Sequence, residues 1–108
     1  MIDEKANIII SEIRDELKSI YPDFRGIYLF GSHARGVAND DSDIDLAILF
    51  DREIDWRFKD EISNYIWLKM VNNVIPIDSF TLNYNEIDYP KTPFRENILK
   101  EGMFYGNQ

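Results

Sequence analysis

The chain has 108 residues, 44% of them hydrophobic and 30% charged, with a formal net charge of -8 and no cysteine. Its length supports a single core and a single domain, residues 1–108, and its acidity excludes a general nucleic-acid coating role, which relies on Lys and Arg to neutralise phosphates. The lack of cysteine excludes a disulfide framework and a thiolate metal site. With no apolar run of membrane-spanning length and no basic-then-apolar N-terminus, the expectation is a cytoplasmic protein without membrane contact.

Ile2 to Ile20 reads as an amphipathic helix. Ala6, Ile9, Ile10, Ile13, Leu17 and Ile20 recur at three- and four-residue spacings, Asp3 serves as N-cap, and Pro22 ends the helix. Gly26 to Phe30 is a short apolar strand, and Ile44 to Phe50 is a second. A helix from Ile54 to Val71 follows, with Ile54, Phe58, Ile62, Tyr65, Ile66 and Met70 on one stripe. Trp56 and Trp67 fit either the core or a partner-facing surface. Val74 to Leu82 is a third strand that lies at an edge or starts near Pro76, which cannot donate to a ladder. Asn83 to Lys91 is an irregular acidic connection. Thr92 then caps a last helix that opens on Pro93, turns Phe94, Ile98 and Leu99 inward, and stops at Gly102. This order predicts an α/β (α+β) fold, a small mixed sheet with helices packed against it.

The stretch Gly31 to Leu46 concentrates chemistry between two apolar strands. Asp43 and Asp45 are two residues apart at a strand start, so both carboxylates point the same way, roughly 7 Å apart. Like charges so placed raise each other's pKa unless a cation sits between them, and hard oxygen ligands suit Mg²⁺. An Asp-x-Asp also occurs as a pair of solvated turn residues. Gly31 permits a tight turn, and Ser32 begins a segment whose N–H groups and hydroxyl can grip a phosphate; the plainer alternative is a β-turn. Arg35 fits a phosphate contact or an ion pair with Asp40 or Asp41. His33, the only histidine, adjoins the turn without a catalytic role.

Gly31-Ser32, ten intervening residues and Asp43-Ile44-Asp45 resemble the signature of the DNA polymerase beta-like nucleotidyltransferase superfamily. The fuller string Gly-Ser-His-Ala-Arg-Gly…Ser-Asp-Ile-Asp-Leu is similar to its minimal nucleotidyltransferase (MNT) branch, as is the closing Ile98 to Gly102 and Tyr105. The resemblance implies a third carboxylate on a later strand. Asp78 matches best, and Glu86 and Asp88 are poorer matches. It further implies two Mg²⁺ ions held by Asp43, Asp45 and Asp78, with Asp78 as base, and ATP held through Gly31, Ser32 and Arg35. Members of this branch pair with helical HEPN proteins as antitoxin and toxin. The expected activity is therefore AMP transfer to a tyrosine of a HEPN toxin, as a type VII-like antitoxin. The alternatives are a non-catalytic antitoxin that masks its partner, and transfer to an RNA 3′ end. A homo- or hetero-oligomer follows from the lack of room for an acceptor domain.

Overall fold

The computed structural model describes residues 4–38, 42–87 and 89–106. Its elements are α1 (Glu4–Ile20), β1 (Phe24–Phe30), α2 (Gly31–Arg35), β2 (Ile44–Phe50), α3 (Trp56–Asn73), β3 (Ile77–Asn83), α4 (Pro93–Glu101) and β4 (Met103–Gly106), with a 3-10 turn at Tyr84–Glu86. The strands form one sheet in the order β3-β2-β1-β4. β1 is antiparallel to both β2 and β4, while β2 and β3 are parallel. The expected mixed sheet with packed helices is present.

The apolar stripe of α1 and Phe58, Ile62 and Ile66 of α3 cover one face of the sheet. There they bury Ile27 and Leu29 of β1 and Ile44, Leu46, Ile48 and Phe50 of β2. Strand alternation sends Ala47 and Leu49 to the opposite face, where Ile87 and Ile98 meet them in a smaller cluster. β2 is thus apolar on both faces, as a central strand requires. Lys69 of α3 ties the two helices of the first face together by bridging Glu12 and Glu16 of α1.

Several boundaries differ from the sequence reading for local reasons. β1 begins at Phe24, because Gly26 (φ 143°) sits in a bulge inside the strand rather than at its start. A Cβ on Gly26 would lie 2.5 Å from the Phe104 ring. Asp55 caps α3 by accepting from Phe58 N–H at 2.9 Å, so Ile54 lies outside the helix. β3 starts just after Pro76 and lies at the sheet edge, as expected from that proline. Thr92 caps α4 and Pro93 opens it, also as expected. In that helix, however, only Ile98 is buried. Of the two others expected to face inward, Phe94 does turn to the sheet, its ring edge-on to Phe30 and Phe80 at 5.6 and 5.1 Å while still 38% exposed, and Leu99 remains exposed. Trp56 and Trp67 are 68% and 58% exposed, which rules out the core alternative. β4 was not foreseen; its four residues are defined by pairing with β1 from Gly26 to Leu29. Asp3, Asn39 to Asp41 and Asp88 lie outside the described residues.

Candidate active site

β1 ends where β2 and β3 begin, so three chain segments meet at one end of the sheet. Asp45, the second residue of β2, is in register with Phe30 on one side and Asp78 on the other. Alternation puts Asp45 on the face of Ala47 and Leu49, and Asp78 on that same face. Neighbouring strands are about 4.8 Å apart, so the two carboxylates stand side by side. Asp45 is half-buried, whereas Asp78 and Asp43, just before β2, are exposed. Burial pushes the Asp45 carboxyl up from its ordinary range, and the charges of Asp78 and Asp43 push it further. His33 and Arg35 partly offset this. The sequence-predicted carboxylates therefore act on one another through space. Glu86 follows the far end of β3, away from this point.

The segment expected as a turn is one turn of helix between two left-handed glycines, Gly31 (φ 75°) and Gly36 (φ 73°). A Cβ built on Gly31 would lie 2.1 Å from Asp45 Oδ2. Glycine is therefore required here both by backbone conformation and by the carboxylate against it. This contact brings the start of α2, with Ser32 next in sequence, directly against Asp45. The leading N–H groups of a helix have no partner within it, which leaves them available to an anion. Arg35 pairs with Glu101 at the end of α4, 3.3 Å away. Both side chains are well exposed, and such a pair contributes about 0–1 kcal/mol, too little to hold Arg35 away from a stronger anion. Asp40 and Asp41, the partners expected from sequence, lie outside the described residues.

Among the described residues, no three His, Asp or Glu side chains converge into a group that encloses a metal ion. Carboxylates that repel one another spread when no cation lies between them. Mg²⁺ needs only one or two protein carboxylates when substrate phosphates complete its shell. The donor set fits that use: hard oxygens, a shared face, and an Asp45 already under strain from its negative neighbours.

His33 has a place that the sequence did not reveal. It is 93% buried by side-chain packing in α2, and its Nε2–H donates to the Ser42 carbonyl at 3.2 Å. Its own carbonyl accepts from Gly36 N–H at 3.3 Å. The residue thus fastens the loop between α2 and β2 at both ends, nine positions apart. Nδ1 finds no partner among the described residues. A lone histidine in a polar loop carries no sequence signal for such a return contact. His33→Ala is expected to cost about 1–3 kcal/mol of stability in denaturant unfolding, because the bond is part-buried. His33→Gln, whose amide nitrogen reaches about as far as Nε2, should recover most of it, and the shorter His33→Asn should not.

A nucleotidyltransferase domain model matches residues 10–105. The chain belongs to that family. It is an enzyme of the nucleotidyltransferase class. Among curated proteins, it is 36% identical over 105 residues to a candidate protein adenylyltransferase of Methanocaldococcus jannaschii, spanning 94% of this chain and 96% of that one. Solved structures share the fold. One belongs to a complex of tri-AMPylated Shewanella oneidensis HEPN toxin with MNT antitoxin (TM-score 0.61, 20% identity, 94% of this chain and 72% of that one). Another is a toxin-antitoxin structure with AMP-PNP (TM-score 0.65, 23% identity, 90% and 73%). A nucleotidyltransferase-like protein of Sulfolobus solfataricus also matches (TM-score 0.59, 21% identity, 95% and 87%). Among the described residues, no helix is long and apolar enough to cross a membrane.

Proposed function

We propose that this nucleotidyltransferase moves AMP from ATP onto a tyrosine hydroxyl of a HEPN-type toxin, and so serves as its antitoxin. The observation that carries the reading is the position of Asp45, pressed against Gly31 at the start of α2 on one side and in register with Asp78 on the other. A phosphate grip and a base thus flank one carboxylate. The name of the archaeal relative supports a protein acceptor, and the fold shared with a chain of the HEPN–MNT complex supports the choice of partner.

Gly31 and Ser32 hold the terminal phosphates through backbone N–H groups and the Ser32 hydroxyl, with Arg35 swinging from Glu101 to join them. Asp43, Asp45 and Asp78 would hold Mg²⁺, two ions in this reading. When bound, these supply positive charge to the attacking and leaving oxygens. Asp78, exposed at the sheet edge, accepts the proton of the acceptor hydroxyl. The acceptor oxygen bonds to the α-phosphorus, the bond from that phosphorus to the α,β-bridging oxygen breaks, and pyrophosphate leaves. The loop fastened by His33 fixes the reach between α2 and Asp43.

Incubation of the chain with ATP, Mg²⁺ and the protein of the neighbouring reading frame should add the mass of one or more AMP groups to that protein, which should be of HEPN type. Tryptic mapping should place them on tyrosine. Neutralisation of the toxin without added mass, by wild type and by Asp45→Asn alike, would establish masking instead. Lengthening of a labelled RNA without protein modification would establish the RNA acceptor, which the net charge of -8 disfavours.

A further inference from the structure

The reacting groups stand in a row across one end of the sheet. α2 follows β1, Asp45 lies on β2, and Asp78 lies on β3, the edge strand. With the triphosphate at α2, the acceptor must approach Asp78 from the remaining side, beyond β3. Among the described residues no strand pairs with that outer edge.

The edge has a readable polarity. Successive residues of a strand aim their N–H and C=O groups to alternate sides. The Pro76 carbonyl accepts from Ile44 N–H at 2.9 Å, so residue 76 faces β2. Ile77 N–H instead meets Met70 Sδ at 3.4 Å, on the outer side. It follows that Asp78 and Phe80 face β2 with their backbone groups, while Ser79 and Thr81 direct theirs outward, Ser79 half-buried and Thr81 buried. Two adjoining pockets, of about 370 and 160 Å³, run along this edge and share Lys59, Thr81 and Leu82. The smaller begins at Ser79, next to Asp78. The larger ends among Glu53, Glu86 and Arg95.

We propose that the acceptor enters as an extended polypeptide segment that adds a strand to the outer edge of β3 and delivers its hydroxyl to Asp78. The inference rests on the protein-acceptor reading above. The charges of the groove select this occupant. Lys59 and Arg95 line the larger pocket together with Glu53 and Glu86, a mixture that suits a peptide of mixed charge and opposes a phosphate backbone. Strand addition supplies affinity through main-chain hydrogen bonds, and the pockets take the alternate side chains.

Ser79→Pro removes one outward N–H and leaves the bonds to β2 in place. The ring restricts Asp78 to extended backbone, which it already has. With the HEPN-type protein as acceptor, this variant should raise the acceptor KM by about tenfold or more, the equivalent of a lost hydrogen-bonded pair. Binding of a fluorescent ATP analogue should stay within about twofold of wild type. Amide exchange on the wild-type complex gives a second reading that needs no variant. Ser79 should gain protection on complex formation, and Phe80, already bonded within the sheet, should not. Transfer by the wild type with Ser79 unprotected, or an unchanged acceptor KM in a folded Ser79→Pro, overturns strand addition and leaves AMP transfer standing. No transfer by the wild type to any protein overturns both.

Discussion

Asp45→Asn is expected to abolish nucleotidyl transfer and, in the same protein, to raise its thermal stability. The first effect follows from the carboxylate's position between the start of α2 and Asp78. A bound cation contributes several kcal/mol of transition-state charge stabilisation, and about 1.4 kcal/mol corresponds to tenfold in rate, so the loss should reach about a thousandfold. The second effect follows from burial and from the charges of Asp78 and Asp43, which raise the Asp45 pKa above its value of 3.8 in the unfolded chain. A carboxyl with a raised folded pKa holds its proton more tightly when folded. Wild-type stability therefore falls as pH climbs through the unfolded value to the folded one, and the deficit persists above it. Asn carries no charge and escapes the deficit. Melting curves without metal or nucleotide should show the variant above the wild type at neutral pH, with the gap closing below about pH 4. Adding Mg²⁺ and a non-hydrolysable ATP analogue should raise the wild type and leave the variant nearly unmoved. A variant less stable than wild type at neutral pH would mean that Asp45 holds the fold together rather than serving the reaction.

Such a trade-off belongs at this end of the sheet. The face under α1 and α3 is filled with aliphatic side chains and tolerates no unpaired charge. The opposite face has a smaller cluster around Ile98, flanked by the partly exposed rings of Phe30, Phe80 and Phe94, so it is less completely closed to water. Asp45 sits where β2 passes from one regime to the other. It is buried enough to feel its neighbours and open enough to reach a ligand. Catalytic groups commonly occupy such positions, where stability is given up for function.

Periodicity made most of this fold readable. The stripe Ala6, Ile9, Ile10, Ile13, Leu17 located α1, and the apolar run of Ile44 to Phe50 located β2 to the residue. Both are long, strongly patterned segments in which burial dictates residue type. Thr92-Pro93 marked the start of α4 because capping is local chemistry. The misses depend on partners distant in sequence. β4 exists through its pairing with β1, and Gly26 marks a bulge because the Phe104 ring occupies the space a Cβ would need. Leu99 carried the right spacing for burial yet stays exposed, whereas Phe94 with the same signal meets the Phe30 and Phe80 rings. The Asp43 and Asp45 pair was visible as a spacing, and Asp78 only through resemblance. What no sequence pattern held was the parallel register that sets Asp45 beside Asp78, or the return of His33 to Ser42.

Gly31→Ala is the substitution expected to do the most damage with the fewest atoms. Alanine at a φ of 75° enters the left-handed region, which costs about 1–2 kcal/mol. The new methyl would also lie 2.1 Å from Asp45 Oδ2, so either the carboxylate turns away or α2 shifts off the end of β1. Both movements separate the start of α2 from Asp45, the two groups proposed above to hold phosphate and metal. A misplacement of about 1 Å in a reacting geometry costs on the order of a hundredfold, and that is the expected loss in kcat/KM. The two costs can be separated by a double-mutant cycle. Asp45→Ala removes the atom that the methyl strikes but leaves the backbone conformation unchanged. In that background, Gly31→Ala should lose only the cost of the left-handed conformation, and the coupling measured by denaturant unfolding should exceed the roughly 0.5 kcal/mol expected of independent sites. Zero coupling would show that the backbone angle alone makes Gly31 necessary. Coupling, together with the loss of transfer in the single variant, would show that glycine is needed here so that Asp45 can lie against the start of α2.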